Sequence, residues 1–386
     1  MNTEQLKETF LSLYGAGDET HLYFSPGRVN LIGEHTDYNG GYVFPCALTF
    51  GTYLVVRKNN QRLVRFATTN FDHRGEIKLD EPFEKEGKSW FNYPVGVLNE
   101  FRKQAREIEG VDLLYSGDIP NSAGLSSSAS IEMVTAFAMN EIFGFGKDRM
   151  ELVKISQNAE NQFVGVNCGI MDQFASGMGA ADHALFLNCD TLDYERVPLK
   201  LEGMKIVIAN TNKRRGLADS KYNERRAQCE AAVEALRGGK KIKHLSDLSL
   251  DEFNELSHLI ADETERRRAR HVISENMRTL GAIEALNKGD IASFGRLMNQ
   301  SHDSLRDDYE VTGTELDTLV EEARKIAGTI GSRMTGAGFG GCTVSIVRED
   351  DVESFIRKVG SGYHERTGLK ADFYVAEIGD GSKEIV

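Results

Sequence analysis

Apolar residues Leu6, Phe10, Leu13 and Tyr14 fall on one face of a helix, and residues 15–18 end it before an extended stretch at 21–24. Polar and small residues then crowd positions 25–41, SPGRVNLIGEHTDYNGG, as a dense loop of the kind that lines a site, and a strand pattern resumes over 42–58. Residues 62–69 and 75–79 predict further strands, and 90–108 a helix. The apolar run 111–115 feeds the stretch 120–130, PNSAGLSSSAS, beyond which Ile131, Val134, Ala138 and Ile142 recur at helical spacing. Another helix is expected over 149–165, then a Gly/Cys turn at 166–169 that launches 170–178, and a strand at 184–189.

The texture changes near residue 195. KIVIAN at 205–210 predicts a buried strand, and helices follow over 220–236, 250–260, 266–287, 291–306 and 316–326. Residues 332–339 read as a Gly-rich loop, 342–347 as strand, 352–366 as helix and 371–377 as strand. A chain of 386 residues is long for a single core, so two domains are expected, 1–195 and 196–386. No repeat of solenoid period and no low-complexity linker interrupts them.

Hydrophobic content of 40% and charged content of 27% are those of a soluble globular protein. The net charge of −13 argues against a nucleic-acid or anionic-membrane partner. Cys46, Cys168, Cys189, Cys229 and Cys342 form no CxxC pair, which supports neither a disulfide framework nor a zinc site and points to reducing cytosol. The opening MNTEQLKETF carries no apolar signal core, so a cytoplasmic protein without an obligate protein partner is expected. The basic run 266–270 reads as a solvated helix face.

The stretch 120–130 is the natural place for an anion. Gly124 and successive serines turn the backbone tightly into a helix, whose free N–H groups and positive dipole end then face the loop. No lysine follows, so the P-loop pattern is absent and a bound phosphate would need a metal, which serine hydroxyls can ligate. Taken alone, the loop fits a ligand-free Gly/Ser turn with serine caps equally well. Gly336, Gly338 and Gly341 satisfy a bare G-x-G-x-x-G, but the strand pattern after them excludes a dinucleotide fingerprint.

Five stretches occur together and in order: GRVNLIGEHTDYNGG at 27–41, SAGLSSSAS at 122–130, AENQFVGVNCGIMDQFAS at 159–176, KYNERRAQCE at 221–230 and MTGAGFGGC at 334–342. Together they resemble the galactokinases of the GHMP small-molecule kinase superfamily. The resemblance implies an α+β fold of two domains with the active site in the cleft between them. It also implies transfer of the γ-phosphoryl group of ATP, with Mg2+, to the C1 hydroxyl of D-galactose.

Residue by residue, the resemblance makes Asp172 the general base and Arg28 its partner cation. It makes Glu34, His35, Thr36, Asp37, Gly169, Asp172 and Tyr222 the sugar-binding set. A hexose site needs several fixed donors and acceptors, which the run 34–37 supplies at close spacing. Ser122, Ala123, Gly124, Leu125, Ser126, Ser127 and Ser128 would cradle the phosphates, with Thr68 and Trp90 near the nucleotide base and Ser128 and Glu160 on the metal. The 334–342 loop is expected to close over the site. Two alternatives stay open: a kinase for N-acetylgalactosamine or another sugar, and a non-catalytic sensor that binds galactose and ATP. The complete SSSAS run weighs against the sensor, whose serine loop lacks a Ser-Ala pair.

Overall fold

The computed structural model describes residues 2–120, 123–199, 201–213 and 218–385. Helix α1 (Thr3–Tyr14) starts at Asn2, whose side chain accepts from the Gln5 N–H, and buries Leu6 and Phe10. Strands β1 (His21–Asn30), β2 (Tyr42–Val43), β3 (Pro45–Lys58), β4 (Leu63–Thr68) and β5 (Gly75–Lys78) follow. Next come α2 (Asn92–Lys103), β6 (Val111–Gly117), α3 (Ser127–Phe143), α4 (Arg149–Asn158), α5 (Met171–Met178), β7 (His183–Asn188) and β8 (Tyr194–Pro198).

The chain continues through β9 (Met204–Asn210), α6 (Ala218–Leu236), α7 (Leu250–Leu256), α8 (Glu263–Asn287), α9 (Ile291–Asp307) and α10 (Gly313–Arg324). It ends with β10 (Thr329–Thr335), β11 (Cys342–Arg348), α11 (Val352–Thr367), β12 (Asp372–Ala376) and β13 (Lys383–Glu384).

A six-stranded sheet of order β13-β1-β3-β6-β4-β5 organises the first half, with β4 and β6 its parallel pair. Along β3, Leu54 and Val56 join the core beneath α2, α3, α4 and α5, while Val55 joins the one beneath α1. A sheet covered on both faces reads as a continuous apolar run, which is why YLVV at 53–56 shows no alternation. The second half carries the sheet β10-β11-β9-β12, and β2-β7-β8 forms a smaller third sheet.

Several boundaries differ from the sequence reading. The supposed loop at 25–41 is strand as far as Asn30, with a register shift between Pro26 and Arg28, so Arg28 rides on a rigid element. Positions 332–335 belong to β10 rather than to the Gly-rich loop. The helix at 90–108 stops at Lys103, and Ala105 adopts φ 55° just beyond. The helix expected over 149–165 ends at Asn158 and continues as a wider π-type turn through 159–164, which buries Glu160.

Apart from exposed Arg270, the basic run is not a solvated face. Arg268 is 2% exposed and pairs with Glu310, while Arg267 donates to the Asp307 carbonyl and Arg266 to that of Ile260. Arg267 and Arg268 knit α8 to the turn after α9, and Arg266 ties it to the segment that precedes it. The expected boundary at 195 falls inside β8, and the chain's end returns to the first sheet, with Tyr23 opposite Glu384 and Phe24 opposite Lys383. One core joins Val29, Leu31 and Phe44 to Ile206, Phe294 and Val344, so the halves share an interior.

Candidate active site

Arg28 reaches from β1 to the start of α5 and meets Asp172. Its Nε donates to Oδ1 at 2.8 Å and its Nη2 to Oδ2 at 2.9 Å, a bidentate pair of the kind that fixes both planes. The serine stretch grips the same pair. Arg28 Nη1 donates to the Gly124 carbonyl at 2.8 Å, Arg28 N–H to that of Leu125 at 3.1 Å, and Ser126 Oγ to Asp172 Oδ2 at 2.6 Å. Arg28, Asp172, Gly124 and Ser126, with Glu34, His35 and Asp37, line a cavity of about 220 Å³.

Glu34 is held from three sides: Gly336 N–H at 2.6 Å, Asn30 Nδ2 at 2.8 Å, and an ion pair with buried Arg333 at 2.7 Å. Burial pushes its carboxyl up, and Arg333 pulls against that. The Gly336 contact ties the third motif to the first, and the fit requires glycine. At φ 84° a Cβ on Gly336 would also sit 2.8 Å from the Gly124 carbonyl of the serine stretch.

His35 hydrogen-bonds through Nδ1 to Tyr38 Oη at 2.8 Å, and Tyr38 in turn to Tyr309 at 2.7 Å. Burial drives His35 down to about 3, so the ring is neutral at physiological pH. Tyr222 packs against it with centroids 5.6 Å apart. Thr36 corrects its expected role: its fully buried hydroxyl donates to the Gly33 and Tyr42 carbonyls, and it does not line the cavity. Gly169 lines it without offering a side chain. A Cβ there would lie 1.9 Å from Asp37 Oδ2, so glycine is what lets that carboxylate occupy the cavity wall.

Burial, reinforced by the Asp172 charge, pushes Asp37 up to about 7. A carboxyl raised from 3.8 to about 7 on folding makes the native state bind the extra proton, so its stabilising contribution is present below pH 3.8 and lost as pH rises toward 7. Asp37→Asn should therefore gain unfolding free energy relative to the parent as pH rises from 4 to 7. The cavity keeps the group partly wet, which limits the gain to about 2 kcal/mol. Urea titrations at both pH values measure it, and a constant difference would contradict the assignment.

Ser127 and Ser128 line this cavity and also a second, more apolar one of about 240 Å³ with Thr68, Trp90, Tyr93, Tyr115 and Ile131. The first turn of α3 is thus the partition between a polar chamber and an aromatic-walled one. Trp90 spends its Nε1–H on the His73 carbonyl at 3.1 Å and sets its edge against Tyr115. Ala123 and Leu125 turn their side chains into the core, and what they offer is backbone. Ser122 lies outside the described residues.

Ser128 hydrogen-bonds Glu160, whose carboxyl burial and the Asp172 charge push up to about 7. Gln173 Nε2 forks between Glu160 Oε2 at 2.7 Å and Glu132 Oε2 at 3.0 Å. Among the described residues no group of three His, Cys, Asp or Glu side chains could hold a metal by itself. Ser128 and Glu160 are nonetheless adjacent hard oxygen donors on the cavity wall, and a partly held cation with phosphate oxygens and water completing its shell suits them.

Glu132, Gln173, Arg333, Tyr38 and Tyr309 went unnoticed in the sequence. Glu132 left a trace: it is the only charged residue between Ser127 and Asn140, one turn beyond Ser128 on an otherwise apolar helix. Arg333 left none, since its partner lies about three hundred positions away.

A galactokinase galactose-binding signature matches residues 8–58, the GHMP kinases N terminal domain 92–180 and the GHMP kinases C terminal domain 282–365. The chain is 56% identical over 386 residues to a galactokinase of Fusobacterium nucleatum, covering 99% of each. It is 53% identical to a galactokinase of Bacillus subtilis, again covering 99% of each. Among solved structures, Lactococcus lactis galactokinase complexed with galactose superposes with a TM-score of 0.97 at 47% identity, covering 99% of this chain and 100% of that one. Methanococcus jannaschii mevalonate kinase matches with a TM-score of 0.67 at 18% identity over 95% of this chain and 100% of its own, a likeness of fold alone.

Proposed function

The chain belongs to the galactokinases of the GHMP kinase superfamily, and from that premise we infer that it transfers the γ-phosphoryl group of ATP to the C1 hydroxyl of D-galactose, giving galactose 1-phosphate and ADP. The observation that carries the reading is the clamp in which Arg28 and Ser126 hold Asp172, beside a helix start whose serines line both chambers.

Glu34, His35, Asp37 and Tyr222 form the wall against which the sugar hydroxyls bind. A buried carboxylate and a neutral imidazole reject a ring that lacks the matching hydroxyl, because they would be left unpaired. Asp172 accepts the proton of the C1 hydroxyl as the oxygen meets the phosphoryl group, and Arg28 offsets the charge that moves with it. The N–H groups at the start of α3 receive the phosphates, and the chamber of Thr68 and Trp90 takes the base. Ser128 and Glu160 would hold Mg2+, which when bound neutralises phosphate charge. Positioning and electrostatics supply most of the rate in phosphoryl transfer, and this site is rich in both.

Among the described residues no helix is long and apolar enough to cross a membrane. We place the reaction in the cytoplasm, where the free cysteines stay reduced.

A coupled ADP-release assay across galactose, glucose, galactosamine and N-acetylgalactosamine tests the assignment. Galactose should give the highest kcat/KM. Binding of galactose without ADP release would replace the kinase with a sensor, and preference for the N-acetylated sugar would replace the substrate.

A further inference from the structure

Ser126 occupies the N-cap position of α3, where a serine side chain ordinarily accepts a hydrogen bond from the first helical turn. It makes no such bond. Its backbone is left-handed, φ 61°, a conformation that glycine adopts at lower cost. What serine adds there is a hydroxyl, and the hydroxyl is turned away from its own helix to reach Asp172 Oδ2 at 2.6 Å.

Asp172 is thereby held by donors from two elements, Arg28 on β1 and Ser126 at the start of α3. The serine stretch controls both partners of the ion pair, since the Gly124 and Leu125 carbonyls fix Arg28 while the next residue fixes the carboxylate. A diverted cap also leaves the first-turn N–H groups without a side-chain acceptor from Ser126, which suits an anion there. A hydroxyl committed to Asp172 is not available to phosphate.

On the reading of the site as a phosphoryl-transfer centre, we propose that Ser126 is a positioning residue for Asp172 and not a phosphate ligand. Its side chain sets the direction of the carboxylate toward the acceptor hydroxyl, while its backbone serves the phosphate cradle. Removing the hydroxyl costs turnover and spares nucleotide affinity; a phosphate ligand would give the opposite pattern.

The test is steady-state kinetics and calorimetric ATP and galactose binding for the parent, Ser126→Ala and Ser126→Gly, with thermal unfolding of each. Both variants should lose about 10- to 100-fold in kcat, the worth of one charge-assisted hydrogen bond, with KM for ATP and its Kd within about twofold of the parent. Both variants lose the bond to Asp172, but Ser126→Gly relieves the left-handed strain that Ser126→Ala keeps, so its Tm should lie above that of Ser126→Ala while kcat falls alike in both, which separates a positioning loss from a folding loss. A raised KM for ATP with kcat near that of the parent would overturn the proposal and restore Ser126 as a phosphate ligand. Unchanged kinetics in both variants would also overturn it. A parent that turned over no galactose would instead defeat the activity reading on which the proposal rests, a result visible in the same assay.

Discussion

Asp172→Asn is expected to lower kcat by about a thousandfold, roughly 4 kcal/mol of transition-state stabilisation, while ATP affinity stays within a few-fold of the parent. The side chains are nearly isosteric, so the effect is chemical. Arg28 and Ser126 point three donors at the two carboxylate oxygens, and asparagine replaces one of those oxygens with a donor. One of the three is then orphaned, and Arg28, buried on its strand, loses its countercharge. The proton acceptor for the sugar hydroxyl disappears in the same step.

Nucleotide binding is spared because the first turn of α3 and the chamber of Thr68 and Trp90 do not include the Asp172 carboxylate. Initial-rate kinetics at saturating galactose, with calorimetry for ATP, give both numbers. Retention of more than about a tenth of the parental kcat would show that Asp172 neither accepts the proton nor carries a necessary charge.

Arg333→Met should be the most destabilising single change at the site, by about 3–5 kcal/mol. Arg333 on β10 is fully buried, donates to the Ser301 hydroxyl at 3.1 Å and the Asn30 carbonyl at 2.9 Å, and balances Glu34 at 2.7 Å. Methionine fills much of the volume but strands a carboxylate in the interior. Galactose affinity should fall with stability, since Glu34 loses the partner that orients it.

Burial already pushes Glu34 upward, and without Arg333 that shift grows. A folded-state value above the unfolded one means stability is fully present below the unfolded carboxyl value and is lost as pH rises through the folded one, so the deficit should widen above pH of about 4.3. Adding Glu34→Gln should recover part of the loss. Chemical denaturation of both single variants and the double at two pH values closes the cycle; a deficit under about 1 kcal/mol would mean the pair contributes little.

Local pattern determined much of this molecule. The helices α1, α8, α9 and α11 lie near where the sequence pattern puts them, because a 3.6-residue stripe facing a core is a local property. The serine stretch opening a helix and the acidic run 34–37 supply groups suited to an anion and a polyol, but only the family resemblance gave them those roles. Errors gathered where a long-range partner overrode local texture. Ser25 and Asn30 look like loop residues but are buried in β1, because β3 satisfies the strand's backbone and Ser382 and Glu34 take up their side chains. The arginines at 266–268 look solvent-facing until the turn after α9 supplies the Asp307 carbonyl and Glu310, and the segment before α8 the Ile260 carbonyl.

The chain by itself fixed which residue types would be present, the family, and the stretches that carry them. Tertiary structure decided which side chains face which. It sent Thr36 into the backbone of its own loop, Ser126 to Asp172 instead of to its helix, and Arg333 beneath Glu34. The reason is physical: periodicity reports the burial of a face, whereas the target of a hydroxyl or a guanidinium depends on acceptors brought close by the packing of distant segments, and no local spacing encodes their positions.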